Sequence, residues 1–236
     1  MQKHFEQELE SLKTNIVKMA SIVDEMVENA LTALETSDLE LCKKIKAKDR
    51  EIDAYDNLIK TQCENILALF QPFAVDLRFI LTSLMVNNQL ERCGDIAVNI
   101  TQRVKPLINH YDLVVESKII DMVKFSKQMF KEAIDSFINR DLELANKVCG
   151  EDNVVDGYNK NIFYYLIDKM KEKHELIEPA SHLMILSRHV ERLADHSTNI
   201  AEDVIFMISA EIVSHKHKLM KWAEKEQSKN QLETEE

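Results

Sequence analysis

The sequence predicts an all-α protein, a tandem repeat of two three-helix bundles with six long helices in total. Three observations support this fold class. The chain of 236 residues contains only 3 Gly and 3 Pro, far fewer than strands and tight hairpins require. Apolar residues recur every three or four positions, which is the spacing of one helix face. Finally, stretches of the sequence recur about 100 residues later, as in proteins built from repeats.

Three helices are predicted in the first half of the chain. The first ends near Ser37, and Ser37 or Asp38 can cap a second helix predicted over 39–70. Pro72 is placed in the first turn of the third helix, where its missing N–H costs little, and Pro106 closes that helix. The first helix carries a heptad-like apolar seam, formed by Phe5, Leu9, Leu12, Ile16, Met19, Val23, Met26, Ala30 and Leu34.

The second half is predicted to repeat this order. A fourth helix covers roughly 113–139 and a fifth roughly 142–173. The sixth opens at Pro179 and continues to about Val213. A mostly charged tail follows, in which Leu219, Met220 and Trp222 can extend the helix a little. Its last dozen residues are expected to be disordered.

Two motifs define the repeat. Residues 30–41 recur as 133–144, with the same Asp-Leu-Glu-Leu ending, and residues 90–100 recur as 190–200 around a shared Glu-Arg-x-x-Asp-x-x-x-Asn-Ile. Chance matches at two nearly equal offsets are improbable. The predicted domains are therefore a first repeat, a second repeat and a charged tail, at 1–109, 110–213 and 214–236.

Composition limits the classes of partner. The formal net charge of −11 makes a nucleic-acid partner unlikely on electrostatic grounds. No apolar run approaches the roughly 18 residues that span a bilayer, and no signal sequence opens the chain. The four cysteines form no Cys-x-x-Cys pair and are interpreted as small buried residues in a reducing compartment. A cytoplasmic location without membrane insertion is expected.

Carboxylates occupy the predicted apolar faces. Glu91 shares a stripe with apolar residues seven positions away, and Asp95 lies one turn further on. Asp49 lies on the seam of the second helix, flanked by Asp53. Unpaired carboxylates are costly there, and two at i and i+4 repel each other, whereas a hard cation compensates both. The predicted metal ligands in the two repeats are Glu91, Asp95, Glu191, Asp195, Asp49, Asp53, Asp152 and Asp156.

Other interpretations of these residues stay open. The pairs can belong to an ordinary solvated face, or they can form buried salt bridges with Arg78, Arg188 or a lysine from a neighbouring helix. His196, whose counterpart is Ile96, can be a ligand, a support for a ligand or a solvated side chain. The absence of Glu-x-x-His argues against a ferritin-like di-iron bundle. Oxygen ligands suit Mg, Ca, Mn or Fe and do not choose among them.

Longer stretches of the sequence resemble a known family. Residues 71–80 (Gln-Pro-x-Ala-x-Asp-Leu-Arg-x-Ile) and 90–100 (Leu-Glu-Arg-x-Gly-Asp-x-Ala-x-Asn-Ile) resemble the first-repeat signature of PhoU proteins. Residues 190–202 (Val-Glu-Arg-x-x-Asp-His-x-x-Asn-Ile-Ala-Glu) resemble the second. The likeness covers about 1–213.

The resemblance implies both a fold and a function. PhoU proteins are tandem three-helix bundles that bind metal clusters through Glu/Asp-x-x-x-Asp motifs, which here implies Mg, Mn or Fe as cofactor. They are cytoplasmic negative regulators of phosphate uptake and of the phosphate-starvation response. The implied partners are the ATPase of the Pst ABC transporter, a PhoR-type histidine kinase and a second copy in a homodimer.

The sequence also departs from the family pattern. Gln89 stands where Asp is common, and Ile96 replaces the His of the first motif. Leu193 and Ala194 stand where Ile-Gly is usual. Two related but non-identical metal sites are therefore expected. No catalytic constellation accompanies the carboxylates, so the protein is predicted not to be an enzyme; the alternatives are a metal-dependent hydrolase and a purely structural helical scaffold.

Overall fold

The computed structural model describes residues 2–211, and within that range it consists of helices without strands. This confirms the predicted fold class. A short helix, α4 (Tyr111–Glu116), connects the two halves. The six long helices are α1 (Gln2–Thr36), α2 (Leu39–Phe70), α3 (Ala74–Leu107), α5 (Ile119–Asn139), α6 (Leu142–Glu172) and α7 (Ile177–Ser209). The predicted tail at 214–236 lies outside the described residues.

The two bundles, α1–α3 and α5–α7, share one hydrophobic core. Helix α3 packs antiparallel on α7 at the centre of the molecule, and α1 packs on α5. The register of the central pair is fixed by polar contacts. The Arg78 Nε donates to the Met207 carbonyl (3.1 Å), and the Thr82 hydroxyl donates to the Asp203 carbonyl (3.4 Å). Each repeat therefore buries the third helix of the other.

Helix α1 shows why the heptad seam was a reliable signal. Seven seam residues, from Leu12 to Leu34, are no more than 2 % exposed, while Phe5 and Leu9 are partly buried. Val27 and Ala33, which lie off the seam, are also fully buried. The reason is that α1 is covered by its own bundle on one side and by α5 on another, so its apolar face is wider than a two-helix seam.

The prediction of one continuous fourth helix was wrong. The chain forms α4 and α5 instead, separated by Ser117 and Lys118. Lys118 adopts a left-handed conformation (φ 65°), which interrupts the helical hydrogen-bond ladder. The Ser117 hydroxyl donates to the Val114 carbonyl (2.8 Å) and helps to end α4. The sequence gives no warning, because neither residue is Gly or Pro.

Smaller corrections concern the helix ends. Pro72 precedes α3 instead of lying in its first turn, since Gln71 is left-handed (φ 48°) and the helix begins at Ala74. Pro106 lies one residue before the end of α3. Helix α7 begins two residues before Pro179 and ends at Ser209, because left-handed Ala210 (φ 60°) caps it. Val213, the predicted end, lies outside the described residues.

The cysteines are free thiols, and three of them are buried as predicted, at positions 63, 93 and 149. Cys42 is the exception, because it is only half-buried. No helix in the described part of the chain combines the length and the apolar character needed to cross a membrane.

The N-cap of α2 supports a stability prediction. The Asp38 carboxylate accepts hydrogen bonds from the backbone N–H groups of Glu40 (2.9 Å) and Leu41 (3.0 Å). We expect Asp38→Ala to lower the free energy of unfolding by about 1 kcal/mol, which is a fall of roughly 2–4 °C in melting temperature for a chain of this size. Asp38→Asn keeps the acceptor and serves as the control; equal melting temperatures for wild type and Asp38→Ala would contradict the prediction.

Candidate functional site

In the first bundle, the carboxylates of α2 and α3 lie side by side. Asp49 is half-buried, and burial raises the pKa of its carboxyl, with the charges of Asp95 and Asp53 adding to the rise. Asp95 comes from α3, whereas Asp49 and Asp53 come from α2. The structure therefore brings the two predicted pairs of this repeat together on one face, where the charges of Asp95 and Asp53 disfavour ionisation of Asp49.

Glu91 lies at the same α2–α3 junction. Burial raises its pKa, the charges of Asp95 and Asp56 add to the effect, and Arg92 and Lys60 oppose it. Asp56 was left out of the predicted ligands, although it is on the seam of α2. Its side chain pairs with Lys60 (2.7 Å) and accepts a hydrogen bond from the buried Asn87 amide (2.7 Å). Asp56 thus has a fixed position beside Glu91.

In the second bundle, Glu191 occupies the equivalent place on α7. Burial raises its pKa, the Arg188 guanidinium opposes this, the charges of Asp195 and Asp156 add to it, and a hydrogen bond from Asn159 lowers it. Arg188 Nη1 lies 3.1 Å from Glu191 Oε2. The salt bridge with Arg188 considered from the sequence therefore forms at Glu191, but it is not a buried one, because the Arg188 side chain is 70 % exposed. Arg78, the other arginine considered, instead donates to the backbone of α7.

Asp152 is more deeply placed than its counterpart Asp49. It is 9 % exposed and therefore among the buried charged residues. The Cys149 thiol is its neighbour: burial raises the pKa of Cys149 to about 12, and the charges of Glu202 and Asp152 contribute. Glu202 lies in the 190–202 stretch, but sequence reasoning gave it no role. The acidic cluster of the second bundle thus extends further along α7 than that of the first.

Of the remaining predicted ligands, Asp195 is half-buried. Asp53, Asp95 and Asp156 are exposed. Their carboxylates can reach an ion at the surface without further desolvation. However, within residues 2–211 no three His, Cys, Asp or Glu side chains form a preformed metal-binding group. An ion would therefore have to draw the carboxylates of the two helices together, and the metal-ligand assignments stay predictions.

His196 contacts α3 as well as lying next to Asp195 in α7. Its Nδ1 lies 2.7 Å from the Gln89 side-chain oxygen across the α3–α7 contact. Burial lowers the pKa of His196, with the Arg92 charge contributing, so the neutral ring is favoured. Gln89 departs from the family pattern, and His196 has no histidine counterpart in the first repeat; the structure pairs these two residues. His196 acts as a contact between the two bundles in this arrangement.

A groove of about 500 Å³ lies beside Glu191 between α6 and α7. Arg188 and Lys160 contribute positive charge to it, and Phe163 and Tyr164 contribute apolar surface at 48 % and 58 % exposure. In the first repeat, Lys60 and Thr61 of α2 stand at the positions equivalent to Phe163 and Tyr164. The two acidic faces therefore have different surroundings.

The fold and the carboxylates together define the class of this protein. It is a duplicated three-helix bundle in which the second and third helices of each half carry an acidic face. Comparison with known proteins shows which family of this class the chain belongs to. The model of the PhoU domain matches the chain twice, at 16–104 and 119–204. This chain belongs to the PhoU family.

Individual relatives agree with this assignment. The chain is 33 % identical over 214 residues to the phosphate-specific transport system accessory protein PhoU homolog of Clostridium acetobutylicum, covering 89 % of this chain and 97 % of that protein. It is 36 % identical over 210 residues to the homolog of the same name from Aquifex aeolicus, with 89 % and 95 % coverage. The crystal structure of PhoU from Pseudomonas aeruginosa superposes with a TM-score of 0.82 at 30 % identity, covering 88 % of this chain and 100 % of that one.

Proposed function

We propose that this protein is a metal-binding, cytoplasmic negative regulator of phosphate uptake and of the phosphate-starvation response, without catalytic chemistry of its own. The observation that carries the proposal is the doubled PhoU domain over nearly the whole described chain. Relatives of matching length are named as accessory proteins of the phosphate-specific transport system. The predicted partners are the Pst transporter ATPase, a PhoR-type sensor kinase and a second copy of the chain.

The donor set fits a hard cation. Every predicted ligand is a carboxylate, and oxygen donors suit Mg, Mn or Fe. In the first bundle the carboxyl pKa values of Asp49 and Glu91 are raised by burial and by other acids, so these groups are poorly compensated as they stand. A bound cation would remove this repulsion and join α2 to α3. In the second bundle Arg188 already compensates Glu191 in part.

The regulatory role is tested by removing the gene and restoring it. We expect deletion to raise phosphate uptake and to keep a phosphate-repressed reporter active in high phosphate. Wild type should restore repression, whereas Glu91→Ala/Asp95→Ala should restore it only weakly if the metal face is needed. Glu6→Ala/Glu10→Ala, a matched acidic pair exposed on α1, is the control. Unchanged uptake and unchanged reporter activity in the deletion strain would refute the proposed function.

A further inference from the structure

Basic side chains gather where α3 and α7 meet. Nη1 of Arg103 on α3 lies 3.3 Å from Nδ1 of His182 on α7. His189 is seven residues from His182 and therefore shares its stripe of α7. Burial lowers the pKa of His189, and the charges of Arg103 and Arg192 add to the effect, so these groups lie close together. We name Arg103, His182, His189 and Arg192 the basic cluster.

The antiparallel register of the two helices holds the basic cluster in place. Polar contacts pair position 82 with 203, 89 with 196 and 103 with 182. Each step forward along α3 is therefore matched by an equal step back along α7. Arg103 belongs to the first repeat and the other three members to the second, so the cluster forms only because the two bundles pack on each other.

Nearby carboxylates do not balance the positive charge of the cluster. Within residues 2–211, neither Arg103 nor Arg192 forms a salt bridge. Glu191 precedes Arg192 in the sequence, but its carboxylate pairs with Arg188 at 3.1 Å. In a chain with a net charge of −11, such a group of cations is available to an anion from outside the protein.

Two nitrogen atoms of the cluster also lack a partner. Arg103 Nε and His189 Nδ1 are buried, and no group in the described part of the chain forms a hydrogen bond with either atom. Proteins leave few buried polar groups in this state, because it is destabilising. An arginine Nε can only donate, so the partner that Arg103 requires is an acceptor. Both side chains are half-buried, so a small ligand can approach them from the surface.

The donors of the cluster select among anions. The guanidinium of Arg103 presents Nε–H and Nη–H groups that fit two oxygens of a carboxylate or of a phosphate. His182, His189 and Arg192 add donors from the second helix. A carboxylate has only two oxygens, whereas a phosphoryl group has at least three and can meet donors from both helices. A phosphoryl oxyanion therefore fits the cluster better than a carboxylate.

We propose that the basic cluster binds a phosphoryl oxyanion between α3 and α7, either as inorganic phosphate or as the phosphate group of a monoester. The site uses none of the predicted metal ligands. Because its donors come from both repeats, the bound anion joins the two bundles. The inference concerns binding alone and does not rest on the proposed regulatory function, which can stand if the binding fails.

Titration calorimetry of the full-length protein in buffer with EDTA tests the proposal, with inorganic phosphate and O-phosphoserine as the two ligands. Arg103→Gln should weaken binding about ten-fold or more, because it removes charge-assisted hydrogen bonds, and Arg192→Gln should weaken it several-fold. Arg192 is exposed, so its substitution should leave the circular dichroism unchanged even if Arg103→Gln perturbs the fold. The control, Arg50→Gln, removes an exposed arginine from α2 and should leave the affinity unchanged.

The ligand that binds more tightly identifies the source of the oxyanion. The proposal is wrong if the wild-type protein binds neither ligand, or if Arg103→Gln and Arg192→Gln bind as tightly as wild type. Equal weakening by Arg50→Gln would show a response to overall charge and no defined site. Binding that appears only when Mg replaces EDTA would place the anion on a cation held by the carboxylates, which also overturns the proposal.

Discussion

Mg, Mn or Fe is expected to raise the melting temperature of the wild-type protein and to leave a variant without the Glu91 and Asp95 charges less affected. A ligand that binds only the folded state adds about 2.7 kcal/mol at a concentration of one hundred times its Kd. For a chain of this size that is a rise of roughly 5–10 °C. The gain arises because a cation offsets two costs at Asp49 and Glu91. One is the loss of solvation on burial, and the other is the repulsion from neighbouring acids.

The same variant should behave oppositely without metal. Glu91→Gln/Asp95→Asn removes an i, i+4 repulsion worth about 0.2–0.5 kcal/mol and some cost of desolvation, so it should melt slightly above the metal-free wild type. The order should reverse when metal is added. Thermal melts with EDTA and with each metal, together with elemental analysis of the purified proteins, measure this crossover. Zero metal in both proteins and parallel melting curves would end the metal hypothesis.

The second bundle should respond less to the matching change. In Glu191→Gln/Asp195→Asn, Arg188 loses the carboxylate that it contacts at 3.1 Å. The relief of repulsion is then opposed by the loss of an ion pair, although the Arg188 side chain is 70 % exposed and the pair is correspondingly weak. Comparison of the two double variants therefore measures how unequal the two acidic faces are.

Local signals explain why much of the fold could be predicted. The bounds of α2, Leu39–Phe70, follow from the Asp38 cap and from an unbroken apolar period. The break between α4 and α5 could not be predicted, because left-handed Lys118 is not a residue that sequence patterns associate with positive φ.

The face of each acidic residue could be predicted, but its partners could not. Periodicity placed Glu91 and Glu191 on apolar stripes, and both are half-buried. The contacts from Asn87 to Asp56 and from Gln89 to His196 join different helices. They depend on the longitudinal register between helices, which a period of 3.6 residues does not specify. Non-local packing also decides which carboxylates of neighbouring helices lie together, as Asp49 and Asp95 do.

Asp203 is buried by such packing between helices, and it supports a prediction about how stability depends on pH. It is 9 % exposed on α7 against α3. Burial raises the pKa of its carboxyl to about 7, with the charge of Glu202 adding to the rise. None of the ion pairs among the described residues includes it. At neutral pH and above, the folded protein therefore holds a carboxylate whose ionisation is disfavoured.

The sign of the pH dependence follows from this raised pKa. Below pH about 4 the Asp203 carboxyl is protonated in both the folded and the unfolded chain, so it costs nothing. As the pH rises to 7, the unfolded chain loses the proton first, and the stability contributed by the neutral carboxyl is lost. The rise of the Asp203 pKa from its ordinary value of 3.8 to about 7 corresponds to a loss of about 4 kcal/mol in the free energy of unfolding. Relaxation of the structure and entry of water reduce this loss to roughly 1–3 kcal/mol.

Asp203→Asn should therefore be more stable than wild type by that amount at pH 8 and about equal to it at pH 4. The amide is nearly isosteric and cannot ionise, and the Thr82 hydroxyl bonds to the backbone of residue 203, which is unchanged. Urea unfolding at pH 4, 6 and 8, with exposed Asp112→Asn as the control, measures the difference. The difference in the free energy of unfolding between Asp203→Asn and wild type is expected to grow with pH. A difference that does not vary with pH would mean that the substitution acts through packing. The contact of α3 with α7 would then not raise the pKa of Asp203.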